Sequence, residues 1–163
     1  MRSAPLVLSA IGCCYGFAAP PAVAEEPAGL AGVWSLQTFV SEDVESKERQ
    51  AVFGSHPNGY LVLTPSGRLF AILTAEQRAP PLTDADRISA FGSMVAYSGK
   101  YHVDGTTFTT KVDIAWNQEW VGTDQVRHYR IEGDTLYIET VPQPNASYGG
   151  RTMRFFLSWE REN

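Results

Sequence analysis

From residue 32 onward the chain alternates short apolar-polar runs with turn chemistry, and that rhythm predicts strands rather than helices. In "GVWSLQTFV" (32–40), Trp34, Leu36, Thr38 and Val40 alternate against Ser35 and Gln37. "GYLVLT" and "RLFAIL" flank Pro65-Ser66-Gly67, and "SGKYHV" and "TFTTKVDI" flank Asp104-Gly105. Each is a hairpin signal, because Gly and Asp-Gly accept the positive φ that tight turns need. "DQVRHYRI" and "TLYIET" flank Glu132-Gly133-Asp134, and "RTMRFFLSWE" follows Gly149-Gly150. A weaker run, "ERQAVF" (48–53), is a further strand candidate.

One segment breaks the rhythm. In "LTDADRISAFGSMVAY" (82–97), Thr83 caps a helix start, Asp84 and Asp86 sit in its first turn, and Ile88, Phe91 and Val95 follow at helical spacing. The pattern predicts an all-β chain of eight to ten antiparallel strands with one short helix near 83–95. An up-and-down barrel fits, since closure removes edge strands. There are no internal repeats. The linker-like segments are 25–31 and "PQPNAS" (142–147).

The amino terminus follows other rules. Arg2 precedes an apolar run, and Ala22 and Ala24 stand just before Glu25-Glu26. A basic start, a short apolar core and small residues before a cleavage point predict a signal peptide over 1–24. The run is too short for a spanning helix, which needs about 20 apolar residues. The expected product is an exported protein, periplasmic or secreted. The alternative is a lipoprotein anchored through Cys13, since "SAIGC" loosely resembles a lipidation site. The two cysteines, Cys13 and Cys14, both fall inside this segment. A cleaved chain would have no disulfide and no thiolate, and would stand on its hydrophobic core.

The chain has 163 residues, enough for one domain with a real core, here 32–163. Its formal charge of −5 moves one unit further negative without Arg2, which argues against nucleic acid or an anionic membrane surface as partner.

Together "GVWSL", "HPNGYLVLTPSGRL", "YSGKYHVDG", "WNQEWVGTDQVRHYRIEGDTLYI" and "LSWER" resemble the bacterial and fungal lipocalin-like domain family, over residues 30–161. The resemblance implies a lipocalin-type barrel with an interior pocket, a fold that hosts carriers and enzymes alike. Many members carry one or two histidines on the strand that reads "FTTKVDI" here. Thr109, Thr110 and Lys111 stand in their place, which puts any role of those histidines in doubt for this chain. Trp34 and Arg161 resemble the lipocalin closure, in which a tryptophan packs under an arginine.

The strand 124–131 raises the functional question. Its alternation puts Gln125, Arg127, Tyr129 and Ile131 on one face and Val126, His128 and Arg130 on the other. The last strand sets the reference, with Met153, Phe155, Leu157 and Trp159 expected inward. An inward Ile131 then carries Arg127 and Tyr129 into the barrel. A buried guanidinium stays ionised and needs an anion or an acceptor cluster. The fatty-acid-binding proteins, relatives of the lipocalin fold, hold a ligand carboxylate with an Arg-x-Tyr pair, and Arg127-His128-Tyr129 has that spacing. Three readings follow. Arg127 and Tyr129, with Gln125, anchor an anionic or carbonyl-bearing ligand; Arg127 pairs internally with Asp113, Asp124 or Glu119; or the strand is turned over and Arg127 is solvated.

Tyr97 and Tyr101 share a face with Gly99 between them, a gap that makes room for something flat or is simply core packing. Trp116 and Trp120 rim a pocket mouth or staple a loop. Tyr60, Phe70 and Phe91 are expected in the core. His56, His102 and His128 have no metal-ligand spacing, and there is no nucleophile elbow, phosphate loop or dinucleotide fingerprint. No cofactor and no metal are therefore expected.

Two functions compete, beside a weaker third, a structural or envelope-associated protein whose cavity its own side chains fill. One is a binding protein for a small hydrophobic or amphipathic molecule, carboxylate- or carbonyl-bearing, with helix 83–95 as lid. The other is a cofactor-independent enzyme (isomerase, cyclase or lyase). There Arg127 would steady an oxyanion, while Tyr129, Tyr101 or an inward Asp113 would move the proton.

Overall fold

A computed structural model describes residues 29–162; the expected signal segment 1–24 and residues 25–28 lie outside them. Eight antiparallel strands close into a barrel: β1 (Gly32–Asp43), β3 (Asn58–Leu63), β4 (Arg68–Thr74), β5 (Met94–Asp104), β6 (Thr107–Ala115), β7 (Asp124–Glu132), β8 (Thr135–Thr140) and β10 (Thr152–Arg161). Each pairs with the next, and β10 returns to pair with β1. Two short strands extend the rim, β2 (Arg49–Ala51) on β1 and β9 (Gln143–Pro144) on β10. All-β, up-and-down, with one short helix is the fold that the alternation predicts. Among the described residues no helix is long and apolar enough to cross a membrane.

The hairpin turns fall where glycine allows them, with Gly67, Gly105 and Gly133 all at positive φ. These three turns gather at one barrel end, and the amino-terminal segment closes that end. Leu30, at the described end of the segment 25–31 expected as a linker, is fully buried there. Trp34 donates from its indole nitrogen to the Leu30 carbonyl at 3.0 Å. The Arg161 guanidinium lies over the Trp34 ring, 4.0 Å from its centre, and donates to the carbonyls of Ala31 and Gly29. Gly32 suits this closure, since its φ is +151° and a Cβ would press on the Arg161 guanidinium at 2.6 Å and make it shift.

Inside, Trp34, Leu61, Leu63, Leu69, Phe108, Leu136 and Trp159 form the lower core. Burying each large apolar side chain contributes about 1.5–3 kcal/mol. Two sequence expectations change here. In β1 the register shifts between Leu36 and Thr38, so Phe39 turns inward instead of Thr38 and Val40. Thr38 instead shares a hydrogen bond with the Ser158 hydroxyl at 2.6 Å, on the exposed side. Tyr60, Phe70 and Phe91 are about half exposed and do not belong to the core. The first two lie on strands apolar on both faces, where Leu61, Leu63, Leu69, Ala71 and Leu73 take the inward positions.

The helix α1 (Asp84–Gly92) starts as expected, with Thr83 and Asp86 forming a reciprocal capping box. It ends earlier, because Met94–Tyr97 already belong to β5. None of its residues is buried, and Ile88 faces solvent. "PQPNAS" is no linker: it holds β9 and leads into a 3-10 turn (Ala146–Tyr148).

Candidate functional site

The barrel end opposite Trp34 is where the long connections meet: residues 44–57, 75–93, 116–123 and 141–151. They surround the mouth of a cavity of ≈ 630 Å³ that runs down to Leu61, Ile138 and Trp159. That size lies inside the usual range of small-molecule pockets, about 300–1,000 Å³. Two aromatic chains wall it. Trp116, Trp120 and Tyr97 follow one another, with ring centres 4.9 and 5.4 Å apart, and Phe91 continues the row outside the lining, 6.2 Å from Trp116. Tyr148, Phe155, Phe39 and Phe53 follow one another at 6.1, 5.7 and 5.1 Å. Such edge and tilted contacts hold rings in fixed orientation and keep the walls standing around a hollow.

The parity inferred for β7 holds. Arg127 pairs in register with Phe108 on β6 and Thr140 on β8, both buried, and Gln125 pairs with buried Thr110. Cross-strand partners share a face, so Arg127 and Gln125 point inward. Arg127 is part-buried and lines the cavity. Its Nη1 donates to the Val126 carbonyl at 2.9 Å and its Nη2 to Gln125 Oε1 at 3.0 Å.

The internal ion pairs offered for Arg127 are not formed. Asp113 pairs with Arg68, Asp124 pairs with Lys111 at 3.3 Å, and Glu119 at the rim accepts from Asn117. Among the described residues no carboxylate forms a salt bridge with Arg127.

The remaining candidates separate into two groups. Tyr97, Trp116 and Trp120 line the cavity with Arg127. Tyr129 does not join them: its hydroxyl donates to the Gly105 carbonyl at 3.2 Å, toward the closed end. Tyr101 is buried in the lower core, its hydroxyl donating to the Thr64 carbonyl at 2.9 Å. The Arg-x-Tyr spacing therefore does not bring the two head groups to one point, because Arg127 turns back to Gln125 and Val126 while Tyr129 turns to Gly105.

Asp113 is not an inward carboxylate. Phe108, Thr110 and Val112 take the buried positions of β6, and the register shifts beside Asp113. It stands on the outer surface between Ser98 and Arg68. Burial works against its ionisation, but the Ser98 hydroxyl and Arg68 hold its carboxyl below the ordinary aspartate value. Gly99 makes room for backbone rather than for a flat guest. A Cβ there would meet the Lys111 carbonyl oxygen at 2.1 Å, so the glycine lets β5 and β6 approach. The groups named for proton transfer are thus spread over the wall, the floor and the outside.

Sequence reasoning missed part of the lining. Phe39 enters through the β1 irregularity, Phe53 and Met94 arrive on segments read as weak strand and helix, and Tyr148 arrives just after the segment 142–147 read as linker-like. Only Gly149, left-handed at the end of its 3-10 turn, marks the last of these as ordered. Among the described residues no cluster of His, Cys, Asp or Glu is placed to hold a metal.

The sequence model of a family described as "lipocalin-like domain" matches residues 31–162. No curated protein matches the chain.

Proposed function

Since the chain belongs to the lipocalin-like domain family, we propose that it is an exported protein that takes one small amphipathic guest, anionic at one end, into its barrel. The observation that carries the reading is the combination at the cavity wall. An open-ended hollow of ≈ 630 Å³, walled by rings and aliphatic side chains, contains a guanidinium that no acid among the described residues pairs with. An apolar tail gains by leaving water for the lower cavity, at about 25 cal/mol per Å² buried. A carboxylate at Arg127 gains a charge-assisted hydrogen bond, about twice as strong as a neutral one. Export is supported by the amino-terminal pattern of Arg2, the apolar run and Ala22–Ala24.

Binding is favoured over proton-transfer catalysis because the hydroxyls of Tyr101 and Tyr129 are spent on backbone carbonyls and Asp113 lies outside. The test is a titration of purified protein with dodecanoate, read by tryptophan fluorescence through Trp116 and Trp120. Arg127→Leu is expected to weaken dodecanoate by about tenfold or more, the worth of a hydrogen bond to a charged group. An Arg127→Leu protein that binds dodecanoate as wild type does removes the anchor. For export, the intact mass of the protein recovered outside the cytoplasm should correspond to a chain beginning at Glu25; an unprocessed chain retained in the cytoplasm would contradict it.

A further inference from the structure

The side chain that holds Arg127 is itself held, and every link in the chain has a fixed direction. Arg127 Nη2 donates to Gln125 Oε1 at 3.0 Å. Gln125 Nε2 donates to Thr123 Oγ1 at 2.9 Å, and Thr123 Oγ1 donates to the Trp120 carbonyl at 2.7 Å. A guanidinium only donates, so the amide must turn its oxygen to Arg127. That leaves the amide nitrogen for Thr123. The single Thr123 hydroxyl hydrogen is committed to the Trp120 carbonyl, so its lone pair accepts from Gln125. Partners on both sides therefore set the orientation of the amide, which atom shape alone leaves ambiguous. The relay runs from the aromatic rim to the cation in the wall, and it contains no negative charge.

The missing charge matters. Glutamate is nearly the same shape as glutamine and would hold Arg127 more strongly, as an ion pair. It would also cancel the charge that an anionic guest needs, and being ionised it could not donate to Thr123. Asp113 and Asp124 are each paired elsewhere, and Glu119 accepts from Asn117, so the described acids leave Arg127 uncompensated.

We propose that Gln125 is the specificity-determining residue of the cavity: a neutral side chain that positions Arg127 while leaving its charge to a carboxylate-bearing guest. Its role is then to position Arg127 rather than to touch the guest, and it rests on the Arg127 reading above. Selectivity between an acid and its neutral ester then depends on the absence of one charge at position 125.

The experiment compares dodecanoate with methyl dodecanoate on the full chain, by tryptophan fluorescence, with thermal melting to confirm folding. Wild type should prefer the acid by about tenfold or more, as a charge-assisted hydrogen bond gives. Gln125→Glu should bring the two probes within about threefold of each other, as ion pairing would, with ester affinity unchanged. If wild type does not discriminate, the Arg127 reading falls and this one with it. If wild type discriminates and Gln125→Glu discriminates equally, only the assignment to Gln125 falls. Should the glutamate variant fail to fold, Gln125→Met replaces it. Removing the orienting amide without adding charge should weaken dodecanoate severalfold and spare the ester, and an unchanged acid affinity overturns the assignment.

Discussion

Arg161 and Trp34 face each other across the seam between the last strand and the first, paired in register with the guanidinium 4.0 Å from the indole centre. The contact joins the two ends of the described chain, and the Arg161 hydrogen bond to Ala31 at 3.1 Å draws the amino-terminal segment over the barrel floor. It is remote from the cavity mouth. Arg161→Ala should therefore lower stability by about 1–2 kcal/mol, the scale of a cation–π contact with its hydrogen bonds. Urea unfolding measures this, and the acid-over-ester preference should persist. A variant with the wild-type unfolding midpoint would show that the closure contributes nothing.

Ala71 provides a plug. It is nearly buried on β4, lines the cavity, and lies in register between Leu61 and Tyr97. A phenyl ring at this position projects into the hollow rather than into packed core, so the usual cost of overpacking, about 1–3 kcal/mol, should largely vanish. Ala71→Phe is expected to melt within a few degrees of wild type and to bind dodecanoate at least tenfold more weakly, since the tail loses the space that provides its gain. Undiminished binding would place the guest elsewhere on the molecule.

Glu42 makes stability depend on acid. Hydrogen bonds from Arg154 and then Arg49, at 2.8 and 2.7 Å, hold its carboxyl below the ordinary glutamate value. The unfolded chain thus takes up the proton first as pH falls. The pair's contribution is complete above the unfolded value and drains away as pH drops through the depressed folded one. Melting temperatures recorded from about pH 7 down to 3, spanning the carboxylate range, should fall less steeply for Glu42→Gln than for wild type. Equal slopes would sink the assignment. Asp43 and Asp86, also held low by hydrogen bonds, should keep some slope in both proteins.

Most of the barrel is legible because its information is local. Pro65-Ser66-Gly67, Asp104-Gly105 and Glu132-Gly133-Asp134 specify turns by the φ they permit, and the sharp alternation of β10 fixes which face is inward. The same parity turns Arg127 and Gln125 to the inner face of the sheet, where Arg127 reaches the cavity. What was not legible is non-local. Alternation cannot assign faces to Tyr60 or Phe70, whose strands are apolar on both sides. The irregularity that turns Phe39 inward, and the one beside Asp113, depend on neighbouring strands rather than on their own residues. The separation of Tyr129 from Arg127 depends on how far each sits along the barrel axis. Gln125 was noticed for its face, but its role emerges only when the partners of both its amide atoms are known.

The β1–β10 seam also bears on synthesis. Ser41 meets Phe155, and Asp43 meets Met153, across more than a hundred intervening residues. Pairings this distant must bear the whole entropic burden of ring closure before they return anything. While the ribosome still holds the final strand, the nascent sheet has two raw edges and a floor without its Trp159. Sealing of the sheet is therefore one late event that joins the two most distant strands of the described chain.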